Sequence, residues 1–489
     1  MDDQLRQKIE ARLSAKGLPV DIAVSFNDVC IIDRKSDIAS RRDIGNFKTR
    51  LARDIFLNIP IVSANMPDIT DSRMAIALAR LGGLGFIHQF LPIEKRVEEV
   101  KRVKRADSSI IEKPITIRFS ERLSDARALM DAYQISGLLV VDEEGKLVGI
   151  LTSRDMRLQE DLSLYVKEAM TPMPLVVGSP DTTKESARVL LRQYKVEKLP
   201  LVDKAGKVAG LITAKDIIKA AQYRSAVRDK KGRLLVGATI GAHRNNILSD
   251  VDQLVKAGMD VLLIDTARAF ADPVEALLKE IRAAFNELPI VVGNIDRPEA
   301  ALMLIEAGAD AVKVGIGPGS ACKTREETGV GTPQLTAIAE CAAIADEHHI
   351  PVVADGGIRV GADVAKALVA GASAVMLGSL LGGSEEAPGE AFYEEGKKWK
   401  IYRGSASLEA QLSRMDGGGL DHVRPTEGIQ RRVAYRGEVS SIIEDLVGHL
   451  RSSMSYVGAH TLDEFKALGT FRRQTEAGYL EGKPHRNEE

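Results

Sequence analysis

A short apolar run followed by an amphipathic stretch recurs along this chain, and that recurrence constrains its fold more than any other feature. Past residue 210 the runs stand at 234–239, 261–265, 289–293, 311–315, 351–355 and 374–378. Each closes on Gly, Asp or Thr, and a helical pattern of about 10 to 15 residues follows, as parallel βα units require. Two more units of the same kind begin at 60–64 and 84–88. Six and two make eight, the count that closes a parallel sheet into a (β/α)8 TIM barrel of the α/β class. An open doubly wound sheet is the alternative, but its GxGxxG opening after a first strand is missing.

Between the two groups of units the pattern changes. Gly149 to Asp155 and Gly210 to Asp216 both read G-φ-φ-T-x-x-D, with Thr152 and Asp155 in one copy and Thr213 and Asp216 in the other. An apolar strand (137–142, 198–203) and a turn with Gly145 or Gly206 precede each motif. Matched strand, turn and motif at a fixed period mark an internal duplication. It resembles a tandem CBS pair, a module that binds adenine or guanine nucleotides. In it the carboxylate accepts from a ribose diol and the hydroxyl meets phosphate. The plainer alternative is that Thr and Asp merely start helices. The expected organisation is residues 1–113 as the first part of the barrel and 114–221 as the inserted CBS pair. Residues 222–489 then form the rest of the barrel, with a flap and a C-terminal segment.

Composition narrows the function classes. A net charge of -2 argues against a nucleic-acid binder working through a basic field. No apolar run of 18 residues and a polar N-terminus predict neither a membrane span nor a secretory signal. The three cysteines, Cys30, Cys322 and Cys341, have neither metal-type spacing nor the number for a disulfide framework, which suits a reducing cytoplasm.

The most informative stretch follows the run 311–315 and reads Gly315-Ile316-Gly317-Pro318-Gly319-Ser320-Ala321-Cys322-Lys323-Thr324. In a barrel this loop belongs to the C-terminal face, where βα loops build the active site. Glycines at alternate positions let the backbone turn tightly and direct amides and carbonyls inward. The amides suit phosphate, and the carbonyls of Gly317, Gly319 and Cys322 suit a monovalent cation such as K+. A single cysteine is otherwise an inert small hydrophobe. Here the glycine-rich loop and the Ser320 and Thr324 hydroxyls favour a nucleophilic thiolate, with Lys323 adding positive charge. Asp355-Gly356-Gly357 and Gly378-Ser379 end the next two runs. They supply a carboxylate for ribose hydroxyls and amides for a phosphate.

These residues resemble the IMP dehydrogenase/GMP reductase family. Further matching segments are Ser63-Ala64-Asn65-Met66, Asp265-Thr266-Ala267, Ala354 to Arg359, Gly378 to Glu386 and Tyr402-Arg403-Gly404. The resemblance implies that Cys322 adds to purine C2 and that Thr324 works with Glu427 to activate water or ammonia. Ser320, Asp355, Gly357, Gly378, Ser379, Tyr402 and Gly404 then hold ribose and phosphate, with Met66 and Asn65 against the purine. Asp265, Thr266, Ala267, Asn294, Gly315 and Arg424 lie toward the nicotinamide nucleotide. It also implies small-molecule purine nucleotides as partners, ATP or GTP on the CBS pair, and a homotetramer or octamer.

Within the family the flap decides between branches. Between Gly404 and Glu427 no Arg-Tyr pair of the dehydrogenase kind occurs. Gly418-Gly419, Arg424 and Glu427-Gly428 follow a reductase-like pattern, and Asn65 and Val457-Gly458-Ala459 lean the same way. The expectation is therefore an NADPH-dependent GMP reductase forming IMP and ammonia, with an NAD-dependent IMP dehydrogenase as alternative. Arg268, Gln89 and Pro67 depart from both patterns. A nucleotide sensor without catalysis is the alternative of another class. A Schiff-base aldolase is set aside, on the reading that no lysine stands alone at the centre of an apolar strand.

Overall fold

The computed structural model describes residues 3–107, 111, 114–133, 135–157, 159–215, 217–218, 223–242, 246–404 and 428–484. Eight parallel strands form a closed ring: β1 (Ile61–Ser63), β2 (Leu84–Ile87), β3 (Gly237–Ile240), β4 (Val261–Asp265), β5 (Ile290–Ile295), β6 (Ala311–Val314), β7 (Val352–Asp355) and β8 (Ala374–Leu377). Closure falls between β8 and β1, where Val375 pairs with Ile61 and Leu377 with Ser63. The expected (β/α)8 barrel is therefore the fold, and a ring without edges rules out the doubly wound sheet. Nearly every strand residue is buried, because helices cover the outer face while side chains fill the interior.

The helices follow in step: α1 (Ser72–Leu81), α2 (Ile93–Ala106), α3 (Ile247–Ala257), α4 (Asp272–Ala284), α5 (Pro298–Glu306), α6 (Gln334–Glu347), α7 (Gly361–Ala370) and α8 (Val439–Val457). In α1, Asp71 caps the amides of Arg73 and Met74, and Met74, Ala75, Leu78 and Ala79 form the buried face. Gly82 in the left-handed region ends it, as helix stops commonly do. The run 234–239 joins the barrel later than its hydrophobicity predicts, at Gly237. Leu234 bridges Arg228, and the Leu235 amide donates to Val227, so the first half of the run closes a short hairpin instead.

Two compact units emerge, Met1–Ala106 with Ser225–Glu489, and Asp107–Arg224. The second has the duplicated build in three dimensions. Gly137 faces Thr152 in one antiparallel pair and Lys198 faces Thr213 in the other. Both pairs slip register at the same place, between Val140 and Val141 and between Leu201 and Val202. Asp142 Oδ1 accepts from the amides of residues 144 and 146, and Asp203 Oδ1 from those of 205 and 207. Helices Leu123–Tyr133 and Lys184–Tyr194 also correspond.

Outside the ring, strands Phe392–Glu394, Lys397–Arg403 and Gln430–Ala434 form an antiparallel sheet. Arg403 pairs with Gln430, and Gly404 N–H donates to Ile429 O at 3.0 Å. This sheet carries Tyr402 and Gly404 back to the barrel mouth.

Candidate active site

The loops after the strands surround one cleft of about 1280 Å³, beyond the usual range for a single small ligand. Every barrel residue predicted to touch substrate, cofactor or cation that the structure describes lines it. Glu427 and Arg424 lie outside the described residues, as does Asp216 of the inserted unit.

Cys322 is exposed, with its Sγ 3.2 Å from Thr324 Oγ1. The Cys322 amide donates to Gly319 O at 3.0 Å, and Cys322 bridges Gly428 while the Ile429 amide donates to Ala321 O. The thiol is thus held between the β6 loop and the residues that follow the flap. The Lys323 ammonium pairs with Glu327 at 3.6 Å. Arg325 is held by the carbonyls of Ile316 and Thr332. Gly315 has φ +152, and a Cβ there would meet Asp355 O at 2.0 Å. Gly319 carries no such demand, so alternate glycines are not all used for turning.

Beside the Pro318-Gly319 turn, Gly356 and Gly357 both take positive φ after β7, a succession that turns amides inward. Tyr402 is 4% exposed, and its hydroxyl donates to Met66 Sδ at 3.5 Å. Burial, chiefly, pushes its phenol up to about 12, while a hydrogen bond with Ser320 acts the other way. Tyr402 therefore stays a neutral donor at physiological pH. Gly378 leaves room for that hydroxyl, since a Cβ would lie 2.9 Å from it. Ser379 opens a short helix, Ser379–Gly382.

At the floor of the cleft lies a group that sequence reasoning missed. Lys313, central in β6, donates to Asp355 Oδ2 at 2.6 Å and pairs with Asp265 Oδ1 at 2.9 Å. Burial opposes its charge, but Asp265 and Asp355 outweigh it and hold the ammonium above the ordinary lysine range. A lysine does stand alone in an apolar strand, contrary to expectation. Paired with two carboxylates, it is no Schiff-base nucleophile, so the aldolase reading fails on charge. The signal was available: a lysine in a run as apolar as 311–315 needs buried partners. Asn65 Nδ2 donates to Asp265 Oδ2 at 2.9 Å, and Asn294 Nδ2 to Asp355 Oδ2 at 3.0 Å. One Nδ2 hydrogen of Asn65 is thus spent on the polar floor. Asp68, 4% exposed, was also missed; it accepts from the Arg403 amide at 2.9 Å and from Arg403 Nε at 2.8 Å.

On the β4 side, Thr266 Oγ1 is buried with no hydrogen-bond partner among the described residues. Arg268 and Phe270 are exposed beside it. An orphaned hydroxyl at the wall of an oversized cleft fits a second, polar ligand such as a dinucleotide.

In the inserted unit, Thr152 N–H and Oγ1 both donate to Asp155 Oδ2, at 2.8 and 2.7 Å, at the start of helix Ser153–Arg157. This copy of the motif realises the helix-starting arrangement. Thr213 ends the strand Val208–Thr213. Among the described residues no group of three or more His, Cys, Asp or Glu is placed to hold a metal, and no helix is long and apolar enough to cross a membrane.

A closed barrel whose β6 loop presents a thiol beside a nucleotide-sized cleft defines an oxidoreductase of purine nucleotides once its relatives are considered. Residues 23–485 match the IMP dehydrogenase / GMP reductase domain, and the chain belongs to that family. An inosine-5'-monophosphate dehydrogenase of Aquifex aeolicus is 48% identical over 94% of this chain and 95% of its own length. One from Nitrosopumilus maritimus is 43% identical over 94% and 98%. Among solved structures, a GMP reductase of Trypanosoma brucei in complex with guanosine 5'-monophosphate superposes with a TM-score of 0.89 at 37% identity, covering 97% of this chain and 99% of its own.

The more similar curated relatives, all named dehydrogenases, overturn the reductase reading of the flap, and with it the expectation of NADPH. Two of the residues that suggested it also have structural partners. Asn65 serves the polar floor. Gly458, at φ +75, stops α8 by donating to Met454 O and Ser455 O. The flap motif itself, apart from Gly428, lies outside the described residues.

Proposed function

We propose that the protein oxidises inosine 5'-monophosphate to xanthosine 5'-monophosphate with NAD and water. The observation that carries this is the Cys322 thiol beside Thr324 at the mouth of a cleft floored by Asp355 and walled by Met66 and Tyr402; dehydrogenase relatives favour this direction. Cys322 Sγ bonds to purine C2, and the hydride leaves C2. NAD would supply its acceptor, and Asp265, Thr266, Ala267, Asn294 and Gly315 would hold it. Water then attacks C2, the C–S bond breaks, and the thiol is restored. Thr324 orients that water or relays its proton, with Glu427 as partner. Asp355 takes the ribose hydroxyls, and Ser320, Gly357, Gly378, Ser379, Tyr402 and Gly404 take the phosphate. A K+ ion ringed by the Gly317, Gly319 and Cys322 carbonyls would brace the loop. The inserted unit is read as a tandem CBS pair that binds ATP or GTP through Thr152, Asp155, Thr213 and Asp216, within a tetramer or octamer.

Absorbance at 340 nm tests the reading. IMP with NAD should form NADH at a rate that Cys322→Ala lowers by at least about a thousand-fold, as loss of a covalent nucleophile does. NADPH consumption with GMP, or a silent wild type with an unreactive Cys322, would overturn it.

A further inference from the structure

We propose that Lys313 is a positioning residue: from the floor of the cleft its ammonium holds Asp265 and Asp355 together and couples the cofactor side to the ribose side. The roles of the two aspartates rest on the dehydrogenase reading.

Every donor of this ammonium has a use. The Lys313 side chain is 1% exposed, and a buried ammonium is tolerated only when its donors are satisfied. Its three partners are Asp265 Oδ1, Asp355 Oδ2 and Asn294 Oδ1, from three neighbouring strands. Asn65 holds Asp265 through its other oxygen, Oδ2, while Asn294 donates to the same Asp355 Oδ2 that Lys313 meets. Asp355 Oδ1 keeps no partner among the described residues, so it is free for a ribose hydroxyl.

The other cations lining the cleft do not replace Lys313. Arg325 is bound by carbonyls, Arg359 donates to Asn27 at 2.6 Å, and Arg268 lies on the exposed rim. The remaining titratable groups facing the floor are the Tyr402 phenol, the Cys322 thiol and Asp68, which Arg403 neutralises. None of them supplies a positive charge. Without Lys313, two carboxylates that shared one ammonium face each other uncompensated and hold a proton between them near neutrality. A proton held at the Oδ2 side leaves Asp355 Oδ1 a weaker acceptor for the ribose hydroxyl.

The test is calorimetric titration of IMP, without cofactor, into wild type, Lys313→Met and Lys313→Arg between about pH 5.5 and pH 8.5. Lys313→Met should bind about ten-fold more weakly at pH 7 and recover toward wild type as pH rises. Lys313→Arg should keep the wild-type pH profile. A uniform loss at every pH in Lys313→Met, or an arginine variant no better than the methionine one, overturns the proposal. If Lys313→Met does not fold, Lys313→Met with Asp265→Asn removes one charge of each sign; wild-type affinity for IMP in that pair also overturns it. Wild-type turnover of IMP with NAD, read in parallel, reports on the dehydrogenase reading alone. A wild type that binds IMP without oxidising it leaves the Lys313 comparison intact.

Discussion

His88 directly follows β2, is 5% exposed, and accepts the Phe90 backbone N–H at Nδ1 over 3.2 Å. Burial pushes its imidazole down from 6.5 to about 4, although Glu99 and Asp68 pull the other way. Between those values the unfolded chain takes up a proton that the folded one refuses. The contribution of neutral His88 is therefore present above pH 6.5 and lost as pH falls toward 4, by up to roughly 3 kcal/mol. Urea melts at several pH values should show this loss in wild type and a flatter acid limb in His88→Gln. Lys313 shows the opposite handling of a buried base: supplied with two carboxylates, it stays charged. Burial alone decides neither case; the neighbouring strands do.

Among the elements, the strand Lys397–Arg403 has the most exacting task, since it delivers Tyr402 to the cleft. Its last residue is fastened to the loop after β1 by Asp68, whose carboxylate meets both the backbone and the guanidinium of Arg403. Arg403→Ala would leave Asp68 buried without its cation, costing about 2 kcal/mol once the half-exposed arginine is discounted. The expected result is a lower melting temperature together with a raised KM for IMP. A drop in melting temperature with KM unchanged would mean that the pair holds the sheet but not the site.

For the whole molecule, the insertion leaves and re-enters the barrel through one small cluster. Lys104 near the end of α2 reaches Asp229 at 3.1 Å and Asp260 at 2.5 Å, and Arg233 joins Asp229 at 2.9 Å. The two chain ends are thereby stapled close together, so a short linker in place of residues 107–224 should span them. We expect such a deletion to fold cooperatively by circular dichroism and to keep turnover within a few-fold, because the eight strands and the cleft belong to the other unit. Any response to added ATP or GTP should vanish; a response that persists would remove the nucleotide-binding role from the insertion.

Much of this organisation is local, and local features are legible in residue order. The βα alternation, the Gly-rich loop with Cys322, the Gly pair after Asp355 and the doubled T-x-x-D unit each arise from periodicity or backbone demand within a few residues. The barrel and much of the lining of its cleft could therefore be read directly. Only the tertiary structure assigned meaning to groups whose partners lie far along the chain. Asn65 meets Asp265, Lys313 meets both Asp265 and Asp355, and Asp68 meets Arg403. Lys313 thus went unnoticed, as did the bond between Asn65 and Asp265. A side chain's charge and hydrogen bonding depend on what ring closure places against it, and no pattern along the chain encodes that neighbour.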